Sequence, residues 1–267
     1  MRQIATTIIL VLATAFATAQ EYSALFAKGV EYIKDKDFIS AAECLEKALP
    51  LADGENERFN LHLNLAYSRM MAGYTDMALE SYSEAINIRG YERNLVFQRA
   101  AAYIQAMRHD EAIEDCNTII RHNPDDTDAM LLRAQAHMAK GENSKAQKEF
   151  IEVMERKPDN LNARLGLAMT YKNEKLYEKA SLLIGLLIEE FPENAALYIA
   201  RSDIEREQGL YELALLDVDR AIGFNPGNAE YYTLQAILLE NCGRKDAAAK
   251  SRNKAEKLKN SPEMQRP

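Results

Sequence analysis

The chain has 267 residues, 47% of them hydrophobic and 28% charged, a composition that excludes a disordered polypeptide. Its formal net charge of -8 argues against a general nucleic-acid binder, which would carry a basic face. Three cysteines, Cys44, Cys116 and Cys242, are odd in number, far apart and without a CxxC pair. No disulfide framework is expected, and they read as small buried hydrophobes.

In chain order, residues 1–19 read as a secretory signal peptide. Arg2 supplies the positive start, Ile4 to Phe16 the apolar stretch, and Ala17-Thr18-Ala19 a small-x-small cleavage site before Gln20. No cysteine follows the apolar stretch, which argues against a bacterial lipoprotein. A retained anchor is the alternative, although the stretch is short for a span. No other stretch is apolar enough to cross a bilayer, so no transmembrane span is expected after cleavage.

Beyond the leader the chain keeps a period. Pro124, Pro158, Pro192 and Pro226 stand 34 residues apart, each followed two places later by Asp126, Asn160, Asn194 or Asn228. Ala78, Ala112, Ala146, Ala180, Ala214 and Ala248 repeat at the same interval. Within one period, residues 93–126, Leu95, Val96, Ala100, Tyr103, Ile104 and Met107 fall at three- and four-residue spacing, which predicts an amphipathic helix. Arg108-His109-Asp110 makes a turn, and Ala112, Ile113, Cys116, Ile119 and Ile120 mark a second helix over 111–121. Pro124 ends it, because the residue before a proline is biased away from helical geometry. Asp126 can cap the next helix by accepting from its free N–H groups.

The period gives about seven helical hairpins: 22–55, 59–92, 93–126, 127–160, 161–194, 195–228 and 229–262. Between Ala41 and Ala78 the spacing is 37, so three residues are inserted, assigned to the polar loop Asp53-Gly54-Glu55-Asn56. Gly90 replaces a proline, and Gly141 and Gly209 fall in turns between helices, where a left-handed residue ends a helix. The last hairpin departs from the pattern. Arg252 stands where Tyr82, Phe150 or Ile184 stand earlier, and the final helix, 244–259, carries seven basic and two acidic residues. This reads as the polar cap of a repeat array. The alternative is a basic docking helix, with Arg244, Lys250, Lys254 and Lys257 facing an anionic surface such as a membrane. The tail 261–267 reads as disordered.

These landmarks resemble the tetratricopeptide repeat. Leu167-Ala168 with Tyr171, Tyr177, Ala180 and Pro192 fit closely; so do Ala134, Ala146, Phe150 and Pro158, and Leu65-Ala66, Gly73, Ala78, Tyr82 and Ala85. The resemblance implies an all-α fold, a right-handed α-solenoid of about seven helix-turn-helix units over residues 20–260. It also implies that the first helix of each unit lines a concave groove that takes a protein or peptide ligand. Carrying over the phase, that groove holds Phe26, Val30, Leu63, Tyr67, Met70, Met71, Phe97, Ile104, Leu131 and Met138. The last two units present charges there, among them Asp203, Arg206 and Glu207. The competing reading is that the apolar residues pack between helices instead. A carboxylate-gripping clamp used by some members is not expected, since its places hold Phe26, Val30, Asn64, Asn94 and Gln98, and only Asn64 matches.

No Gly-rich phosphate loop, nucleophile elbow or metal motif is present, so no catalytic residue, metal ligand or cofactor is expected. The acids Glu189-Glu190 and Asp217 with Asp219 read as solvated helix faces. The expected function is a non-enzymatic exported scaffold for protein–protein interaction. The alternative is a chaperone-like binder of apolar segments of exported clients. A third reading is a module of a larger machine docked through the basic helix. The cleavage junction and plain repeat array look like those of periplasmic or envelope proteins of Gram-negative bacteria.

Overall fold

A computed structural model describes the backbone of residues 2–260 and the side chains of residues 16–260. Among them are fourteen α-helices, one 3-10 turn and no strand. They pair as hairpins of an α-solenoid: α1 (Arg2–Lys34) with α2 (Phe38–Ala48), α3 (Glu55–Met71) with α4 (Thr75–Arg89), and α5 (Arg93–Gln105) with α6 (His109–His122). Then come α7 (Thr127–Ala139) with α8 (Asn143–Arg156), α9 (Leu161–Asn173) with α10 (Tyr177–Glu190), α11 (Ala195–Glu207) with α12 (Tyr211–Phe224), and α13 (Ala229–Asn241) with α14 (Lys245–Lys259). The chain divides into two compact units, Met1–Leu132 and Arg133–Pro267.

The periodic residues explain the hairpins. Asp126, Asn160, Asn194 and Asn228 accept from the backbone N–H of Ala129, Ala163, Ala196 and Glu230, so each caps the helix that follows it. The six periodic alanines from Ala78 to Ala248 are 0% exposed, so any larger side chain would meet packed neighbours. Each hairpin turns through one residue in left-handed geometry: Lys36, Gly73, Met107, Gly141, Lys175, Gly209 and Gly243. Glycine adopts that geometry freely, whereas Met107 and Lys175 hold it at φ 59° and 61° against their Cβ.

In the first unit, Leu45, Leu61 and Leu65 form one core beneath Tyr22, and Phe59, Ala66, Leu79, Tyr82 and Leu95 form the next. In the second, Ile184, Leu187, Leu197, Tyr198 and Ile204 pack between α10 and α11, and Leu215, Val218, Leu238 and Leu239 pack between α12 and α13. At Gly166 on α9 a Cβ would collide with the ring of Phe150 on α8, so the missing side chain is what seats that phenylalanine.

Several expectations change in detail. The stretch assigned to the inserted residues is not all loop. A 3-10 turn, Leu49–Leu51, takes up chain after α2, and Glu55 and Asn56 already belong to α3. That helix has 17 residues where most first helices have 13, one turn more. His109 begins α6 and is not in the turn. Met107 does not face the core; it is 80% exposed, because the left-handed turn has already carried the chain away. Cys44 and Cys116 are buried as small apolar groups, but Cys242 is only half-buried, at the C-cap of α13. Residues 2–19, read as a leader, run within α1 into the first hairpin. Among the described residues no helix is long and apolar enough to cross a membrane. The tail 261–267 lies outside the described residues.

Candidate functional site

The first unit presents the residues assigned to a groove on the free faces of α1, α3 and α5. Tyr67 and Met71, one turn apart on α3, are 43% and 53% exposed. Both are large apolar side chains open to solvent, although the Tyr67 ring meets the edge of Phe38 at 5.8 Å. Leu63 and Met70 flank them, half-buried against the core of Phe59, Ala66 and Tyr82. Phe97 on α5 is half-buried, with the Arg93 guanidinium 4.7 Å from its ring centre. Arg93 is held there by Asp126 through paired hydrogen bonds of 2.8 and 2.9 Å, and by Asp128 at 3.2 Å. The Arg93 hydrogen bonds keep the Asp126 carboxyl below the usual carboxylate range.

Phe26 on α1 is half-buried and stacks on Tyr22 at 5.8 Å, over the Leu45–Leu61 core. Val30, Ile104 and Leu131 are half-buried too, and so, in the second unit, is Met138. The two readings of these residues therefore divide among them. Each of the half-buried set roots itself in its own core and shows an edge, while Tyr67 and Met71 stand clear. Around them the same faces carry the amides Asn60, Asn64, Asn94, Gln98 and Gln105, with Arg93 beside Phe97 as a charge already paired. This surface can give apolar contact and hydrogen bonds, and it holds no acid–base pair.

In the second unit the corresponding faces are charged, and their charges are already paired. Lys172 on α9 reaches Asp203 and Glu207 on α11, and Arg206 also binds Asp203. Burial opposes ionisation of Asp203, but the hydrogen bonds from Lys172 and Arg206 outweigh it and hold its carboxyl below the ordinary range. These side chains tie one hairpin to the next and are not waiting for a ligand. At the N-cap of α14, Arg244 binds Glu212 at 2.8 Å; on the helix itself Arg252 binds Glu240 at 2.6 Å, and the Lys254 ammonium lies 5.9 Å from the Tyr232 ring centre. Lys250 and Lys257 are exposed on the outer side. Arg252 is exposed and engaged with Glu240.

Two features escaped the sequence reading. Inside three hairpins an arginine on the first helix binds a carboxylate 16 residues later on the second. These are Arg99 with Asp115, Arg133 with Glu149 and Arg201 with Asp217, at 2.6 to 2.9 Å. In the last hairpin the pair is neutral, Ser251 donating to Gln235 at 2.6 Å. The arginines keep the 34-residue beat, which was the available signal. The second feature is a set of exposed leucines on α10 and α12, Leu182, Leu186, Leu213 and Leu216.

Three segments match the tetratricopeptide repeat family, residues 22–53, 103–153 and 131–184. A tetratricopeptide repeat protein from Parabacteroides merdae is 25% identical and superposes with a TM-score of 0.77, over 91% of this chain and 95% of that one. A thermophilic TPR protein of Thermus thermophilus is 18% identical, with a TM-score of 0.56 over 62% of this chain and 91% of its own. MamA from Desulfovibrio magneticus is 17% identical, with a TM-score of 0.52 over 65% and 98%. The last two share the fold alone.

Proposed function

We propose that the chain is an exported, non-enzymatic scaffold: three of its segments match the tetratricopeptide repeat family, whose repeats generally mediate protein–protein interaction and scaffolding. It binds a protein partner on the first-helix faces of units 22–55, 59–92 and 93–126. The observation that carries this reading is the pair Tyr67 and Met71, large apolar side chains 43% and 53% exposed one turn apart on α3. A lone exposed apolar side chain means little, but two of them on one helix beside the half-buried Leu63 and Met70 make an apolar patch on α3. Methionine and aromatic side chains adapt to varied apolar shapes. An amphipathic helix or an extended apolar segment fits such a patch, and the surrounding amides can meet its backbone.

The test is capture from cell extract with the full chain and with the double variant Tyr67→Ser/Met71→Ser. One stoichiometric partner, lost in the variant while its helical circular dichroism is kept, supports the scaffold. Many non-native clients support the chaperone-like alternative instead. Capture that survives the double substitution places the partner on another face.

Export is part of the proposal and rests on Arg2, the apolar stretch and the Ala17-Thr18-Ala19 junction. The periplasm or envelope of a Gram-negative cell is the compartment it implies. The protein recovered from such cells should begin at Gln20 and fractionate outside the cytoplasm. Cytoplasmic protein that retains residues 1–19 would reject export and leave the groove reading standing.

A further inference from the structure

Residues 244–259 hold seven basic and two acidic residues in a chain of net charge -8. On α14, Lys250, Lys254 and Lys257 recur at four- and three-residue spacing, so they share one side of the helix, and all three are exposed. Among the described residues none of the three has a carboxylate partner. Glu212 of α12 and Glu240 of α13, which reach this end of the chain, are taken by Arg244 and Arg252. Lys254 lies 5.9 Å from the Tyr232 ring centre, a contact that leaves its charge in place. Of the two acids on α14, Asp246 stands one turn before Lys250, and Glu256 is turned about 100° away from Lys257.

A cap for a repeat array needs polar side chains, and it does not need them to be of one sign. The same three places hold Glu80, Glu84 and Asn87 on α4, and Lys148, Glu152 and Glu155 on α8. No second helix from α4 to α12 is basic at all three. The fold therefore accepts acids and amides there, and a stripe of three lysines is more than capping asks for.

The make-up of this face indicates what covers it. Protein-binding surfaces are enriched in aromatic residues, methionine and arginine, and depleted in lysine. The exposed side of α14 has no aromatic residue, methionine or leucine; Ala249 is the one apolar residue on it, and Arg252 is bonded within the chain. An anionic lipid surface asks only for clustered positive charge, and each lysine near the headgroups adds to the attraction. With no large apolar side chain turned outward, the helix adsorbs at the headgroups and does not insert. We infer that α14 docks the chain on an anionic lipid surface through Lys250, Lys254 and Lys257. This second surface is independent of the partner patch on α3 and of export.

Co-sedimentation of the full chain with vesicles tests this, using phosphatidylcholine alone and phosphatidylcholine with about 30% phosphatidylglycerol. Binding to the neutral vesicles, to which the apolar stretch Ile4 to Phe16 contributes, is the baseline. The wild type should prefer the anionic vesicles and lose that preference between about 0.05 and about 0.5 M salt. Lys250→Gln/Lys254→Gln/Lys257→Gln should weaken anionic binding about 100-fold, at roughly fivefold per lysine, with its helical circular dichroism kept. Lys47→Gln/Lys148→Gln/Lys157→Gln removes as much charge from exposed sites elsewhere and should stay within about threefold of the wild type. Equal binding to both vesicles overturns the inference, as does anionic binding that the α14 variant keeps. A control variant that loses as much as the α14 variant assigns the effect to net charge and overturns it too. So does a chain that ignores both vesicles and binds polyglutamate through the same lysines, since that result gives the stripe to an acidic protein.

Discussion

Replacing Glu205 by glutamine should abolish a loss of stability that the wild type suffers between mildly acidic and neutral pH. Glu205 lies on α11, one turn beyond Arg201, but Arg201 is committed elsewhere. Its Nε and Nη2 both donate to Asp217, at 2.6 and 2.8 Å. Glu205 Oε2 is left buried with no hydrogen-bond partner. Burial pushes the Glu205 carboxyl up from 4.5 to about 7, the nearby Asp217 charge adds to the rise, and Arg201 opposes it. The folded state therefore holds a proton that the unfolded chain releases at lower pH. The stabilisation is complete below the unfolded value and is lost as pH rises through about 7. A full shift of that size corresponds to about 3 kcal/mol, and solvent around a half-buried carboxyl reduces it to roughly 1–2 kcal/mol. Glutamine is neutral throughout. Urea unfolding followed by circular dichroism at pH 5, 6, 7 and 8 should show the variant matching the wild type at pH 5 and exceeding it at pH 8 by about that amount. Glu149 is also raised, by burial, so the wild type carries a second slope of the same sign and the difference between the two proteins is the quantity to read. If Glu205→Gln keeps the whole wild-type slope, Glu205 is not the buried proton acceptor described here.

Three further outcomes follow from packing and caps. Gly166→Ala should cost about 1 kcal/mol net, because overpacking against the Phe150 ring exceeds the roughly 1 kcal/mol that alanine gains in a helix; an unchanged urea midpoint would show that the ring moves aside freely. Met107→Gly should stabilise by about 0.5–1 kcal/mol, since relief of left-handed strain outweighs the added chain entropy of glycine, and a thermal melt that falls contradicts this. Asp126→Ala should cost about 1–2 kcal/mol by removing the bond to Ala129 N–H and the partner of Arg93, whereas Asp126→Asn keeps the cap and should cost less in the same urea titration.

The sequence disclosed what the backbone needs locally. A proline two places before a capping side chain, and an alanine where two helices touch, act within a few residues of themselves, so Asn160 or Ala180 can be read without a structure. Asn60, Asn94 and Gln98, which spacing puts on the first-helix faces, are exposed. The degree of burial was not legible. Whether Leu63 is open or half-covered depends on Phe59 and Tyr82 in neighbouring helices, and spacing along one helix carries no information about that. The Arg99–Asp115 and Arg201–Asp217 pairs were missed because 16 residues separate partners across a turn, and each arginine taken alone resembles a solvated side chain. Leu182 and Leu216 were missed for the opposite reason. A leucine among other leucines on a helix such as α10 looks like core, and only the folded register puts it outside.

The hairpin 161–194 lacks the bridge between partners 16 residues apart, with Leu167 and Leu183 at the places where its neighbours hold an arginine and its carboxylate, and ties α9 to α10 through Arg164 and Glu190 near their ends instead. Around it lies an interior of Ile184, Leu187, Ile188, Leu197, Tyr198 and Ile204. In a repeat array each unit's stability is its own plus what it shares with its neighbours, so opening proceeds from weak units toward strong ones. The second unit of the chain then has a clock written into it. Amide protons of α14 should exchange with solvent early, those of α12 later, and those of α9 and α10 last, an order that native-state hydrogen exchange would read and that a uniform exchange rate across the unit would refute.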